Sequence, residues 1–113
     1  MPKSEISVSI EPKLSICIPT YNRVRYLKEC LDSVLPQAKA RKDEVEVIVI
    51  DNASPDDTQT VVQEFIATFD CLKYYRNEKN LGFAGNQVKC IEYAMGNYMP
   101  LLCDDDIYLD GQV

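Results

Sequence analysis

The sequence predicts an α/β fold in which helices cover both faces of a mainly parallel sheet. Four short apolar or aromatic runs, Leu14 to Ile18, Val45 to Ile50, Leu72 to Arg76 and Tyr98 to Cys103, are separated by three stretches with apolar residues at helical spacing. The run Val45 to Ile50 is nearly continuous in apolar residues, the mark of a strand covered on both faces. The resulting β-α-β-α-β-α-β order is that of a parallel sheet with crossover helices.

Strand 1 spans Leu14 to Ile18 and is ended by Pro19. Leu27, Cys30, Leu31, Val34 and Leu35 recur at helical spacing, so helix 1 is expected from Val24 to about Gln37. A charged connection, Lys39 to Glu44, leads to strand 2, which ends at Asp51, Asn52 and Ala53. Ser54, Pro55, Asp56 and Asp57 then read as the opening of helix 2, with Ser54 as N-cap, proline in the first helical position and an acidic residue three later. Its buried stripe is expected to be Val61, Val62, Phe65, Ile66 and Phe69. Strand 3 runs from Leu72 to Arg76, and a loop from Asn77 to Gly85 leads into helix 3. That helix is expected to turn Val88, Ile91 and Met95 inward and to end at Gly96 and Asn97, before strand 4 from Tyr98 to Cys103. Residues 1–13, with alternating Ile6, Val8 and Ile10, read as an N-terminal arm or extra strand, which leaves 14–113 as one domain.

Composition narrows the function. The 113 residues, 46% apolar and 27% charged, are ordinary for a folded globular domain. A net charge of −6 without a basic stripe argues against nucleic acid as a partner. The absence of histidine excludes Ser-His-Asp and Cys-His chemistry within this chain, and most zinc sites. The cysteines at 17, 30, 71, 90 and 103 lack a C-x-x-C pair and mostly occupy core positions, so they read as free thiols in a reducing cytoplasm. No segment is long and apolar enough to cross a bilayer as a helix, and no signal-peptide pattern is present.

The polar residues at the strand ends carry the chemistry. Asp104, Asp105 and Asp106 repel one another at the mouth of a strand, and a divalent cation such as Mg²⁺ or Mn²⁺ would relieve that repulsion through hard oxygen ligands. The alternative is a loop whose aspartates cap backbone amides. Asp51 stands where an acidic residue of a mononucleotide-binding fold bonds a ribose or base, or else forms an Asx-turn. Pro19, Thr20, Tyr21, Asn22 and Arg23 offer hydroxyls, an amide, a ring and a cation suited to a base or phosphate, although Arg23 has the alternative of a surface ion pair. Asn80 to Asn86, with Gly82 and Gly85, is a glycine-containing loop that can admit an anion, but it matches neither G-x-x-x-x-G-K-[ST] nor G-x-G-x-x-G. In a sheet of order 3-2-1-4 the switch point lies between strands 1 and 4, and it would bring together Thr20 to Arg23, Asp51 with Asn52, and Asp104 to Asp106.

Taken together, the residues resemble the donor-binding half of a family 2 glycosyltransferase, whose GT-A fold contains a Rossmann-like sheet. The stretches that carry the likeness are L-S-I-C-I-P-T-Y-N-R from Leu14 to Arg23, L-K-E-C-L-D-S-V from Leu27 to Val34, and V-E-V-I-V-I-D-N-A-S-P-D-D-T from Val45 to Thr58. They continue with N-L-G-F-A-G-N from Asn80 to Asn86 and G-N-Y-M-P-L-L-C-D-D-D from Gly96 to Asp106, so order and spacing match over residues 14–113. The L-x-x-D-D-D form is similar to transferases of bacterial O-antigen and other surface polysaccharides, abequosyltransferase-like ones included.

The resemblance implies a nucleotide-diphospho-sugar donor, a divalent metal (Mn²⁺ or Mg²⁺), and transfer to an acceptor hydroxyl with inversion. It implies that Pro19 to Asn22 line the base pocket, that Asp51 contacts base or ribose, and that Asp104 lies nearest the ribose and diphosphate. The metal falls to Asp105 with Asp106 in support. Cys103 stands where many members have the first aspartate of L-D-x-D-D, which leaves the division of roles among the three carboxylates open. The catalytic base and the site for a saccharide or lipid-linked acceptor are expected beyond Val113, so the domain reads as truncated, binding donor without turnover. An open edge at strand 4 would then favour self-association. Two other readings compete: a complete, non-catalytic nucleotide- or metal-binding module, and a receiver-like phosphorelay domain. The second wants an acidic pair after strand 1, where this chain has Pro19, Thr20, Tyr21 and Asn22.

Overall fold

A computed structural model describes residues 14–41, 43–96 and 99–104. Its elements follow in the expected order: β1 (Leu14–Thr20), α1 (Val24–Lys39), β2 (Val45–Asp51), α2 (Thr58–Thr68), β3 (Leu72–Arg76) and α3 (Gly82–Tyr93). The N-terminal arm expected over residues 1–13 lies outside the described residues.

β1 and β2 pair in parallel from Leu14 opposite Val45 to Thr20 opposite Asp51, and β2 and β3 from Val47 opposite Leu72 to Asp51 opposite Arg76. Thr20, Asp51 and Arg76 therefore end three neighbouring strands at one level. The regular sheet has the order β1-β2-β3. The fourth strand expected over Tyr98 to Cys103 is reduced, among the described residues, to one parallel bridge between Leu101 and Cys17. The Cys17 N–H donates to the Pro100 carbonyl (3.1 Å) and the Leu102 N–H to the Cys17 carbonyl (2.9 Å). This segment does lie beside β1, in the place that the order 3-2-1-4 assigns it. Pro100 has no N–H to give, which limits the ladder there.

Alternation along the strands divides the core. Ile16, Ile18, Val47 and Val49 face α1 and α2, packing with Leu27, Leu31, Val34, Leu35 and Val62. Cys17, Ile48 and Ile50 face α3 and meet Cys90. Cys17, Cys30, Cys71 and Cys90 are buried free thiols, while Cys103 is exposed. α1 buries the expected stripe and also Ala38, running to Lys39 through Pro36, whose missing N–H removes only one helical bond.

Two helices differ from expectation. α2 begins at Thr58 rather than at Ser54, and Ser54 does not cap it: its Oγ accepts the Asn22 N–H (2.8 Å) from the neighbouring strand exit. Of its expected stripe Val62 is fully buried, and Phe65, Ile66 and Phe69 pack partly buried on the core. α3 starts at Gly82, inside the stretch read as a loop, and turns Asn86 and Cys90 inward. Val88, Ile91 and Met95, expected inside, are 53%, 63% and 40% exposed. The Asn86 amide explains the rotation, since its Nδ2 donates to the Ile50 carbonyl (3.0 Å) and draws that face of the helix onto the sheet. Tyr75 and Tyr93, stacked 4.0 Å apart, fix the other end of α3.

At the opposite end of the sheet a buried polar cluster ties the strands to the turn after α3. Glu46 accepts bonds from the Ser15 hydroxyl, from Lys73 Nζ (2.7 Å) and from the Met95 N–H (2.8 Å). The Gly96 N–H donates to Ser15 Oγ (2.7 Å), and a Cβ at Gly96 would stand 2.9 Å from the Ser15 nitrogen, so only glycine fits. Burial works to raise the Glu46 carboxyl, but its bonds from Lys73, Ser15 and Met95 outweigh that and hold it below the usual carboxylate range. No helix among the described residues is long and apolar enough to cross a membrane.

Candidate functional site

A hollow of about 250 Å³ opens beyond the carboxyl ends of β1 and β2. Of the residues expected to form a site, Pro19, Thr20, Tyr21 and Arg23 line it on the β1 side. Asn80 and Asn86 line it from α3 and the loop before it, and Asp104 from the bridge segment. Asn22, Asp51 and Gly82 are not among its lining residues. Asp105 and Asp106, expected to hold metal, lie outside the described residues. Asn52, expected with Asp51 among the converging strand ends, lines the hollow, and so does Phe83, to which the sequence assigned no role of its own.

Thr20 is buried at the end of β1, and its hydroxyl donates to Asp104 Oδ2 (2.8 Å). Arg23 Nη1 lies 3.5 Å from Asp104 Oδ1, with the arginine side chain 45% exposed and the aspartate 7%. The tips of β1 and the fourth segment are thus joined through a carboxylate held on both oxygens. Asn22, at φ 54°, turns the chain sharply out of β1. Asp56 then serves two helices, accepting the Val24 N–H at the start of α1 and the Thr58 N–H at the start of α2, each at 3.1 Å. Burial acts to raise the Asp56 carboxyl, but the bonds from the Thr58 hydroxyl and these amides prevail and lower it.

Asp51 has no exposed surface. Its Oδ1 accepts the Ser54 N–H (2.9 Å), the turn bond foreseen as an alternative for this residue. Its Oδ2 accepts the Tyr74 hydroxyl and Arg76 Nη1, the latter at 3.0 Å. Burial first, and then the bond to Asp51, push the Tyr74 phenol up. The bond to Tyr74 first, and then the charge of Asp51, raise the Arg76 guanidinium. Sequence reasoning passed over Tyr74 and Arg76 as ordinary strand residues. Their signal was register: equal strand ends set a cation beside the acid. Ala53, in the next turn, holds φ 65°, a left-handed conformation unusual for alanine.

Asparagines pin the opening of α3. Asn52 Nδ2 donates to Asn80 Oδ1 (2.8 Å) and to the Gly82 carbonyl (3.2 Å). Gly82, at φ 79°, supplies the backbone turn that starts the helix. Among the described residues, no group of three or more acidic or cysteine side chains is placed to hold a metal ion.

Comparison with known proteins agrees with this geometry. The sequence model described as Glycosyl transferase family 2 matches residues 15–113. GalNAc(5)-diNAcBac-PP-undecaprenol beta-1,3-glucosyltransferase of Campylobacter jejuni is 39% identical over 101 residues, covering 88% of this chain and 32% of that protein. Abequosyltransferase RfbV of Salmonella typhimurium is 37% identical over 94 residues, covering 82% and 28%. Among solved structures, the mannosyltransferase PcManGT of Pyrobaculum calidifontis, in complex with GDP-Man and Mn²⁺, superposes with a TM-score of 0.77 at 26% identity, covering 87% of this chain and 29% of that one. The chain thus spans about a third of the length of the curated relatives it matches.

Proposed function

The chain belongs to glycosyl transferase family 2, and from that premise we propose that the hollow binds a nucleotide-diphospho-sugar donor whose sugar passes to an acceptor hydroxyl with inversion. The observation that carries this reading is the meeting of Thr20, Arg23 and Asp104 in one hollow with Asn52, Asn80 and Asn86. In this reading Pro19, Thr20 and Tyr21 form the base side, Asn22 supplies the turn that carries them, and Asp104, steadied by Thr20 and Arg23, faces the ribose and diphosphate. The half-exposed Arg23 offers positive charge to the diphosphate, and Asn80 and Asn86 form the wall across from it, with Gly82 turning the backbone behind them. A carboxylate has about four lone-pair directions. Asp51 uses three, so a contact to base or ribose requires the turn after β2 to open.

The acidic triplet fits a hard divalent ion, since it supplies only carboxylate oxygens. Asp104 is engaged by Thr20 and Arg23, which leaves Asp105 and Asp106 to hold Mn²⁺ or Mg²⁺. When bound, such an ion supplies charge neutralisation to the departing nucleoside diphosphate. The presence of Mn²⁺ in the mannosyltransferase complex supports this assignment. These residues receive the donor-binding role alone, and the base for the acceptor hydroxyl is left unassigned.

The Campylobacter relative is named for a PP-undecaprenol compound, which supports a lipid-linked saccharide acceptor in surface-polysaccharide synthesis. Free, buried thiols favour a cytoplasmic setting. Exposed apolar residues on α3 and at Leu101 support self-association beside the sheet edge.

Calorimetry with a panel of nucleoside diphosphates, with and without Mn²⁺, tests the donor site. Binding should need the metal and should disappear in Asp105→Ala. Tight binding in excess chelator would contradict the metal role, and no binding under any condition would remove the donor assignment.

A further inference from the structure

Four asparagines, three lining the hollow and Asn77 behind them, form a chain of amides whose polarity is fixed at both ends by backbone groups. At one end the Leu81 N–H donates to Asn52 Oδ1 (2.8 Å), while Asn52 Nδ2 donates to the Gly82 carbonyl (3.2 Å). At the other, Asn86 Nδ2 donates to the Ile50 carbonyl (3.0 Å). A backbone N–H can only donate and a carbonyl can only accept, so these contacts decide which amide atom is oxygen. The oxygens of Asn52 and Asn86 must both face the amide between them. That amide is Asn77, whose Nδ2 donates to Asn52 Oδ1 (2.9 Å) and to Asn86 Oδ1 (2.8 Å). Its own N–H is held by the Asp51 carbonyl (2.8 Å). Asn77 is buried and does not line the hollow.

We propose that Asn77 is a positioning residue for the donor site: its two amide hydrogens join the turn after β2 to the first turns of α3 and so hold Asn52, Asn80 and Asn86 at the hollow. The inference rests on the donor-site reading above and adds a residue outside the hollow to it. The position demands two N–H donors on a short stem. Aspartate offers only acceptors and would face two carbonyl oxygens, alanine leaves both oxygens short of a partner, and serine offers one donor. Through Asn52 the effect reaches the Leu81 N–H, and through Asn86 it reaches the tip of β2.

The test compares Asn77→Asp, Asn77→Ala and Asn77→Ser with Glu46→Gln, which loosens the sheet at its far end. Amide hydrogen exchange and calorimetric binding of UDP and GDP with Mn²⁺ are read on the folded variants. In Asn77→Asp and Asn77→Ala the Leu81 amide should exchange about 100-fold faster while Val49 stays protected. Affinity for the nucleotide that the unmodified chain binds should fall about tenfold or more, with Asn77→Ser between and Glu46→Gln close to unchanged. Asn77→Ser carries the test if Asn77→Asp does not fold. Native protection of Leu81 in the Asn77 variants overturns the proposal, as does an equal loss of affinity in Glu46→Gln. If the unmodified chain binds neither these nor any other nucleoside diphosphate of the panel, the donor reading fails and takes this role with it, whereas native binding left intact in the Asn77 variants overturns the positioning role alone.

Discussion

Ala53 and Asp51 show how single residues set the hollow. Ala53 holds a left-handed φ of 65° just after the end of β2. For an L-residue that conformation costs about 1–2 kcal/mol, and glycine's greater freedom in the unfolded chain takes back about 0.5–1 kcal/mol. Ala53→Gly should therefore stabilise the fold by about 0.5 kcal/mol in urea denaturation, and a destabilisation would show that the turn is not strained. Asp51 is the reverse case, a fully buried carboxylate with bonds from Ser54, Tyr74 and Arg76. Asp51→Asn presents an N–H₂ where an acceptor is needed, and should cost about 2 kcal/mol in the same measurement. A loss near zero would mean that the carboxylate does not hold the turn. The importance of Asp51 was legible in sequence because it ends an apolar run. Its partners were not, since pairing of Asp51 with Tyr74 and Arg76 depends on strand register, which the sequence pattern alone leaves free.

Among the elements, β1, β2 and α1 follow their sequence patterns closely because packing decides them. Their apolar residues face a core on one side or both, and the polar contacts they make lie mainly towards their ends. α3 was misread for the opposite reason. Its hydrophobic periodicity points Val88, Ile91 and Met95 inward, yet bonds to Asn86 outweigh it and turn those residues to solvent. The start of α2 was misplaced similarly, since Ser54 bonds Asn22 across the turn and Asp56 takes over the amides of both helices. The cluster around Glu46 gives the strands a pH signature. Its folded carboxyl lies below the unfolded value of about 4.3, so its contribution is fully present above that pH and fades as pH falls through the folded value. Thermal stability followed from about pH 6 down to about pH 3 should fall more steeply in the native chain than in Glu46→Gln, and parallel curves would contradict this linkage.

For the molecule as a whole, sequence foretold the convergence of strand ends, because four apolar runs of similar length fix where a parallel sheet stops. It overstated the fourth strand, which among the described residues comes to one bridge, next to Pro100. The outward face of α3, with Val88 and Ile91, and the exposed Met95 and Leu101 leave apolar surface in water. Light scattering should show a mass that rises with concentration, and Val88→Glu combined with Ile91→Glu should return it to the monomer value; a constant monomer mass in the native chain would contradict self-association. The central claim concerns the opposite end of the sheet from Glu46, where Thr20, Asn52 and Asp104 share a hollow. Paramagnetic broadening by Mn²⁺ in the presence of a nucleoside diphosphate tests it most directly, since the ion reports its position on every nearby amide. The account predicts selective loss of the Thr20, Asn52 and Leu81 signals, dependent on nucleotide, with Ser15, Val45 and Leu72 unaffected. Broadening centred on the far strand ends, or none with any nucleoside diphosphate, would contradict it.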